Sequence, residues 1–217
     1  MGKKRVSYLF ISLLILSAIV VQAERLIDRY RITYVTMKDG LPHNFVDDMF
    51  KDSRGFLWIS TAGGGLTRYD GYDFLYFSPN TPNCPLKSNF IINTCEDNQH
   101  RLWAVSEGGI DIIDLATQKP VQIEDHTEKM QSIVNRPAVK VMKDSKGCMW
   151  IEGDRWLRRI AFDEEGAVNS VSSYFTNALI GPDIAMSDID RDGCIWIGYN
   201  GIILKMYPTS NGKLKAT

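Results

Sequence analysis

The chain has 217 residues, of which 44% are hydrophobic, 11% aromatic and 24% charged. These proportions are typical of a folded globular protein of one or two domains and exclude disorder, collagen and coiled coil as the main architecture. With 25 basic and 26 acidic side chains the formal charge is -1, so no basic surplus indicates a nucleic-acid partner.

The N-terminal segment is typical of a secretory signal peptide. The basic start at residues 1–5 is followed by an uncharged, apolar stretch at 6–21, and Ala23 precedes the predicted cleavage point. This stretch falls short of the roughly 20 residues that a membrane-spanning helix needs, which favours cleavage over a retained signal anchor. We therefore expect residues 1–23 to be removed and residues 24–217 to be exported. The exported part has 22 basic and 26 acidic side chains, a net charge of -4.

A sequence cassette recurs through the rest of the chain, in which an Asp is followed by a turn and, six positions later, by a Trp. The Trp-to-Trp spacings are 45, 47 and 46 residues. The four pairs are Asp52 and Trp58, Asp97 and Trp103, Asp144 and Trp150, and Asp190 and Trp196. Four of the five tryptophans share one period, which predicts a structural repeat.

Each cassette predicts two short strands joined by a tight turn. Asp followed three residues later by Gly, as at Gly55, Gly147 and Gly193, favours a type I turn. In such a turn the carboxylate accepts backbone N–H bonds and the Gly adopts positive φ. In the second cassette His100 stands where the others have Gly. A Gly-rich hairpin and two further strand-like runs, at residues 63–77 in the first repeat, complete the unit.

Four short antiparallel strands in about 46 residues correspond to one blade of a β-propeller. We therefore predict an all-β fold of about four such blades over residues 24–217, centred on Trp58, Trp103, Trp150 and Trp196. Each repeat Trp is expected to fill the contact between neighbouring blades, with its N–H available to a backbone carbonyl, rather than to form a carbohydrate-stacking row. Trp156 lies outside the period, and we expect it to pack on the surface.

The residues of these cassettes resemble the two-component regulator propeller repeat. The resemblance is carried by Gly40-Leu41-Pro42, residues 52–61, the run 65–71 and the closing 74–77. It extends over residues 25 to about 207 and is weakest in the third repeat, where Ile151-Glu152-Gly153-Asp154 replaces the usual Thr and Gly-Leu.

The resemblance implies the periplasmic sensor part of a bacterial hybrid two-component system. In such a system one inner-membrane polypeptide joins sensor propellers to a membrane helix, a histidine kinase and a response regulator. The implied ligands are oligosaccharides released from glycans, or another small periplasmic molecule. The implied role is non-enzymatic and needs no cofactor, since the kinase motifs are not found in this sequence.

The length of the chain adds an expectation about completeness. A propeller of this family has seven blades, about 320 residues at this period, whereas the chain supplies about four. We expect part of an incomplete seven-bladed propeller, whose remaining blades and kinase belong to a longer polypeptide. Residues 31–35 alternate like a strand that would complete the last blade. Exposed edges would favour pairing with another chain, including a second copy in a homodimer.

Two other classes of function remain as alternatives, an exported carbohydrate-active lyase or hydrolase and a protein-interaction scaffold. An enzyme of this kind needs two carboxylates across a cleft. The adjacent acid pairs of the chain do not predict such a cleft, since strand neighbours face opposite ways and loop pairs are usually solvated. These pairs are Asp47-Asp48, Glu124-Asp125 and Glu164-Glu165.

Asp188, Asp190 and Asp192 form a weak calcium candidate, because carboxylates at alternate positions before a Gly match the opening of an EF-hand loop. The twelfth position of that loop should be Glu and is Tyr199, so no metal site is expected. The three histidines, His43, His100 and His126, are too scattered for a metal motif.

The four cysteines allow more than one interpretation. Cys148 and Cys194 occupy the same cassette position and are expected to act as small apolar fillers. Cys84 and Cys95 could close a short loop in an oxidising compartment, but the sequence does not give the Cα separation that a disulfide requires.

Overall fold

The computed structural model describes residues 32–125, 127, 129–154, 156–175, 186–199, 201–209 and 214–216. The chain divides into two units, Met1–Val35 and Thr36–Thr217. In the first unit the described residues, 32–35, are exposed and form no strand, which corrects the prediction of a strand there. The predicted signal peptide, 1–23, lies outside the described residues and stays a prediction.

The second unit is built from antiparallel sheets, each formed by strands that are consecutive in the chain. We call them blades 1 to 4. Blade 1 contains β1 (Val46–Lys51), β2 (Leu57–Thr61), β3 (Gly65–Tyr69) and β4 (Phe74–Phe77), and blade 2 contains β5 (Ile91–Glu96), β6 (Arg101–Ser106) and β7 (Gly109–Asp114). Blade 3 contains β8 (Lys140–Lys143), β9 (Met149–Gly153), β10 (Trp156–Phe162) and β11 (Val168–Phe175), and blade 4 contains β12 (Met186–Ile189), β13 (Ile195–Tyr199), β14 (Ile202–Pro208) and β15 (Leu214–Ala216). This confirms the predicted all-β fold of propeller blades.

Blade 2 departs from the predicted four strands. After β7 the chain makes an isolated bridge between Ile113 and Pro120, and the Val121 N–H donates to the Ile112 carbonyl at 2.8 Å. Proline has no N–H to donate, so the ladder cannot continue regularly through this position. The chain instead forms the short helix α1 (Met130–Val134) before it enters blade 3. A 3-10 turn, Met37–Asp39, precedes blade 1.

Hydrophobic clusters lie between consecutive blades rather than in one central core. Trp58 lies in the cluster shared by blades 1 and 2, Trp103 in that of blades 2 and 3, and Trp150 in that of blades 3 and 4. These three indoles are at most 1% exposed, whereas Trp196 of blade 4 is 38% exposed. Helix α1 contributes Met130 and Ile133 to the cluster between blades 2 and 3.

The first strands of the blades contact one another in order, β1 with β5, β5 with β8, and β8 with β12. Hydrogen bonds join neighbouring strands. The Asp48 carboxylate accepts from the Thr94 N–H at 2.7 Å, and the Lys140 ammonium donates to the Ser187 carbonyl at 2.6 Å. First strands side by side are the arrangement that surrounds the axis of a propeller. Neither helical segment in the described part of the chain has the length and hydrophobicity to cross a membrane.

Candidate functional site

The Asp of each cassette is the centre of a local hydrogen-bond network. One carboxylate oxygen accepts the indole N–H of the Trp six residues later, at 2.8–2.9 Å in all four blades. The other oxygen accepts two backbone N–H groups of the turn. In blade 1 these are the N–H groups of Arg54 at 3.0 Å and Phe56 at 2.9 Å. The indole therefore donates to a carboxylate and not to the backbone carbonyl that we predicted.

The turn residue three positions after each Asp adopts positive φ, as the sequence indicated. The φ angles of Gly55, Gly147 and Gly193 are 94°, 79° and 77°. His100, the residue in this place in blade 2, has a φ of 57° and is one of the few non-glycine residues in the left-handed region.

A cation accompanies the carboxylate in three of the four cassettes. Arg101 contacts Asp97 at 2.6 Å, Arg159 contacts Asp144 at 3.3 Å, and Lys205 contacts Asp190 at 3.3 Å. Hydrogen bonds, first that of Trp196 and then that of the Cys194 N–H, lower the pKa of Asp190 to about 2. The carboxylate charges are thus paired with groups of the same blade, so we assign the cassettes a structural role.

The calcium candidate does not converge on one point. Both oxygens of Asp190 are engaged in its cassette, while Asp188 accepts the Ile189 N–H at 2.9 Å and lies 3.7 Å from the Lys140 ammonium. Asp192 is exposed in the turn. In the described ranges no three His, Cys, Asp or Glu side chains are grouped as metal ligands.

The acid pairs do not form a catalytic cleft either. Asp48 binds Thr94 of the next blade, whereas Asp47 is exposed. Asp125 accepts the Met130 N–H at 2.6 Å at the start of α1, and Glu124 is exposed. Both acids of the pair 164–165 lie in an exposed turn.

All four cysteines are free thiols, so Cys84 and Cys95 form no disulfide. Burial raises the pKa of both thiols to about 11. Cys148 is buried, as expected of a filler, and Cys194 is partly buried.

A Ser–Glu–His cluster that sequence reasoning missed links blades 1 and 2. The Ser53 hydroxyl lies 2.6 Å from one Glu96 oxygen and 3.0 Å from His100 Nδ1, and the same Nδ1 lies 2.8 Å from Glu96. A catalytic triad orients its His through one ring nitrogen and uses the other on the Ser. Since Ser53 and Glu96 share Nδ1, the cluster is an inter-blade contact. Burial raises the pKa of Glu96, but the hydrogen bonds and the charge that Ser53 and His100 supply together lower it below its usual value.

The interruption of blade 2 leaves a cavity of about 210 Å³ beside β7 and α1. Its apolar wall consists of Ile, Val, Met and Pro side chains. Its polar groups come from Lys87, Asp111, Gln122, Gln131 and Asn135. A concave site with an apolar wall and a few converging polar groups is the usual form of a small-molecule site.

Lys87 and Asp111 fix one side of the cavity. The Lys87 ammonium donates to the Ile110 carbonyl at 2.8 Å and to the Val134 carbonyl at 2.7 Å, which ties β7 to the end of α1. One oxygen of Asp111 accepts the Lys87 backbone N–H at 2.9 Å. Burial raises the pKa of Asp111 and lowers that of Lys87.

Asp111 keeps an acceptor available for a ligand. Its second oxygen accepts no hydrogen bond from the described residues. A carboxylate that is held by a backbone N–H and borders amide side chains can accept hydrogen bonds from ligand hydroxyl or amine groups. No sequence motif marks this site. A sequence signal that could have indicated it is Pro120, because proline cannot donate to the ladder of the predicted fourth strand.

Comparisons with known proteins agree with the repeat seen in the sequence. Residues 40–63 match the model of the two component regulator propeller. This confirms the resemblance at the first repeat. No curated protein sequence matches the chain.

Several solved structures share the fold. The extracellular domain of the hybrid two component system BT3049 from B. thetaiotaomicron is 20% identical, with a TM-score of 0.66, and the alignment covers 87% of this chain and 26% of that one. The extracellular domain of BT4673, another hybrid two component system of B. thetaiotaomicron, is 18% identical with a TM-score of 0.50, covering 86% and 33%. A virginiamycin B lyase from Staphylococcus aureus is 13% identical with a TM-score of 0.57, covering 82% and 57%. The chain thus spans about a quarter of the first structure and about a third of the second.

Proposed function

We propose, on the premise that residues 40–63 are a two-component regulator propeller repeat, that this chain is the periplasmic ligand-recognition part of a two-component sensor. It recognises oligosaccharides released from glycans and signals to a histidine kinase in the rest of a longer polypeptide, which also supplies the remaining blades. One observation carries the proposal: the chain contains this repeat, and it shares its fold with extracellular domains of hybrid two component systems.

The cavity beside β7 is the site that we assign to the ligand. A hydroxyl group that donates to Asp111 would share this carboxylate with the backbone N–H of Lys87. The Lys87 side chain reaches the Val134 carbonyl at the end of α1, and α1 packs in the cluster between blades 2 and 3. Ligand binding would therefore change the packing of two blades, which is a route from recognition to signalling.

Calorimetric titration of the full chain with a panel of neutral and acidic glycan oligosaccharides tests the proposal. We expect at least one member to bind and Asp111→Asn to weaken its binding about tenfold or more, because a charged acceptor is lost. Glu164→Gln, which removes an exposed turn carboxylate, is the matched control and should bind like the wild type. Absence of binding throughout the panel would refute glycan recognition, and equal affinities of the two variants would refute the site.

A propeller lyase or hydrolase is the second candidate, and the likeness to virginiamycin B lyase favours it at the level of the fold. Incubation of the same panel with catalytic amounts of the chain, followed by chromatography, distinguishes the two functions. The sensor leaves every oligosaccharide intact, whereas the enzyme releases products.

A further inference from the structure

Strand β10 of blade 3 begins with Trp156, the tryptophan outside the repeat period. Its indole lies against Gly153, its pairing partner in β9, where any side chain would collide with the ring. Arg158 lies two residues further along the strand and therefore on the same face. The Arg158 guanidinium lies 4.5 Å from the centre of the Trp156 ring. The Trp thus forms a flat apolar support for a cation.

The charge of Arg158 has no counter-charge among the described residues. The residue is half-buried, and its Nη1 atom is buried without a hydrogen-bond partner there. Burial is the main cause that lowers its pKa, and the positive charge of Arg136 lowers it further. Its sequence neighbour, Arg159, differs in this respect, since it contacts the Asp144 carboxylate at 3.3 Å.

Arg136 follows directly after α1 and is anchored to it. Its backbone N–H donates to the Ile133 carbonyl at 3.2 Å at the end of the helix. Ile133 and Trp156 pack in the same hydrophobic cluster, so the loop that carries Arg136 and the start of β10 are anchored to a common surface. The Arg136 side chain is exposed and forms no ion pair within the described ranges.

We propose that Arg136 and Arg158 form an anion-binding site, with Trp156 as its apolar side, for a ligand that carries a carboxylate, sulfate or phosphate group. The positive charges of Arg136 and Arg158 repel each other, and an anion bound by both would offset this repulsion. The anion also supplies hydrogen-bond acceptors to the Arg158 N–H groups, which burial has partly removed from water. The planar fork of Arg binds such groups in a bidentate manner. None of these three residues lines the cavity beside β7, and the existence of this site does not depend on the proposed sensor function.

Titration calorimetry of the full chain tests the site with sodium sulfate, sodium phosphate and sodium glucuronate. Sodium chloride at matched ionic strength and neutral glucose serve as reference ligands. We expect at least one oxyanion to bind, and the anion that binds identifies the ligand class. Arg158→Gln and Arg136→Gln should each weaken this binding about tenfold or more, as expected for the loss of a charge-assisted pair. Arg158→Lys, which keeps the charge but loses the fork, should give an intermediate affinity.

Arg191→Gln is the matched control, because it removes an exposed Arg from the turn between β12 and β13. It should bind the anion like the wild type. Equal binding by all variants would show a non-specific ion effect and overturn the proposal, as would a wild-type chain that binds none of the three anions. Arg136→Gln lies in an exposed loop and leaves the blades intact, so its result stands even if Arg158→Gln fails to fold.

Discussion

At the scale of single residues, the cassette Asp of each blade accepts at least three hydrogen bonds. Asp97 is 1% exposed and accepts hydrogen bonds from the Gln99 and Arg101 N–H groups, from the Arg101 guanidinium and from the Trp103 indole. One carboxylate thus fixes the turn, the position of the inter-blade indole and a buried cation. Removal of such a partner leaves a buried guanidinium without a counter-charge, which is more costly than losing an exposed ion pair.

We predict that Asp97→Ala lowers the free energy of unfolding by about 3–5 kcal/mol, the usual cost of breaking a buried ion pair from one side. Asp192→Ala removes an exposed turn carboxylate and should change stability by no more than about 0.5 kcal/mol. Urea denaturation followed by Trp fluorescence measures both. Similar midpoints for the two variants would contradict the role assigned to the cassette Asp. If Asp97→Ala does not fold, Asp97→Asn provides the milder comparison.

At the scale of secondary-structure elements, the close contact between β7 and α1 takes the place of the missing fourth strand of blade 2. Gly109 begins β7 with a φ of 117°, and a Cβ atom there would collide with the Val134 carbonyl oxygen at the end of α1. Lys87 binds the same oxygen through its ammonium group. A glycine is required at this position by both its backbone conformation and the approach of the helix.

We predict that Gly109→Ala destabilises the chain more than Gly71→Ala does. Gly71, in the hairpin between β3 and β4, has a φ of 104°, and a methyl group added there would meet no atom within 4 Å. Its substitution therefore costs only the left-handed strain of about 1–2 kcal/mol. Gly109→Ala adds an overpacking cost of about 1–3 kcal/mol. Thermal unfolding of both variants measures the difference, and equal losses would show that α1 moves away freely.

At the scale of the whole molecule, stability comes from contacts between consecutive blades. The three hydrophobic clusters each join two neighbours, so the free energy is approximately a sum over interfaces. Trp150 is fully buried and stacks on Tyr174 with ring centres 5.6 Å apart. Trp196, at the equivalent position in blade 4, is 38% exposed, and Ile203 of the same blade is 73% exposed. Blade 4 thus has large hydrophobic residues that are typical of an interface between blades, but these residues are exposed.

We predict that Trp150→Ala costs about 3–5 kcal/mol and Trp196→Ala only about 1 kcal/mol in the 217-residue chain. Denaturant unfolding gives both values, and acrylamide quenching should detect Trp196 as the accessible repeat indole. A Trp196→Ala loss as large as that of Trp150→Ala would mean that this indole is covered in solution. If Trp150→Ala does not fold, Trp150→Phe replaces it.

The repeat was predictable because its interactions are local. Each cassette lies within one hairpin. The Asp, the left-handed residue three positions later and the Trp six positions later therefore interact with one another over a short stretch of sequence. The positive φ at Gly55 and its equivalents, the strands on both sides and the period of the blades follow from this spacing. The partner of the indole N–H was predicted wrongly, since sequence spacing does not show that the same carboxylate reaches the Trp as well as the turn.

The amino-acid sequence by itself therefore determined an all-β propeller repeat and its turns. Only the tertiary structure decided which distant side chains meet. Ser53 and Glu96 are 43 residues apart, and Lys87 lies 47 residues from the Val134 carbonyl that it binds. The cavity beside Asp111 likewise depends on how α1 packs against blades 2 and 3. The local repeat predicts each blade and the Trp at its contact with the next blade, but the other contacts between blades depend on long-range packing, which no local pattern encodes.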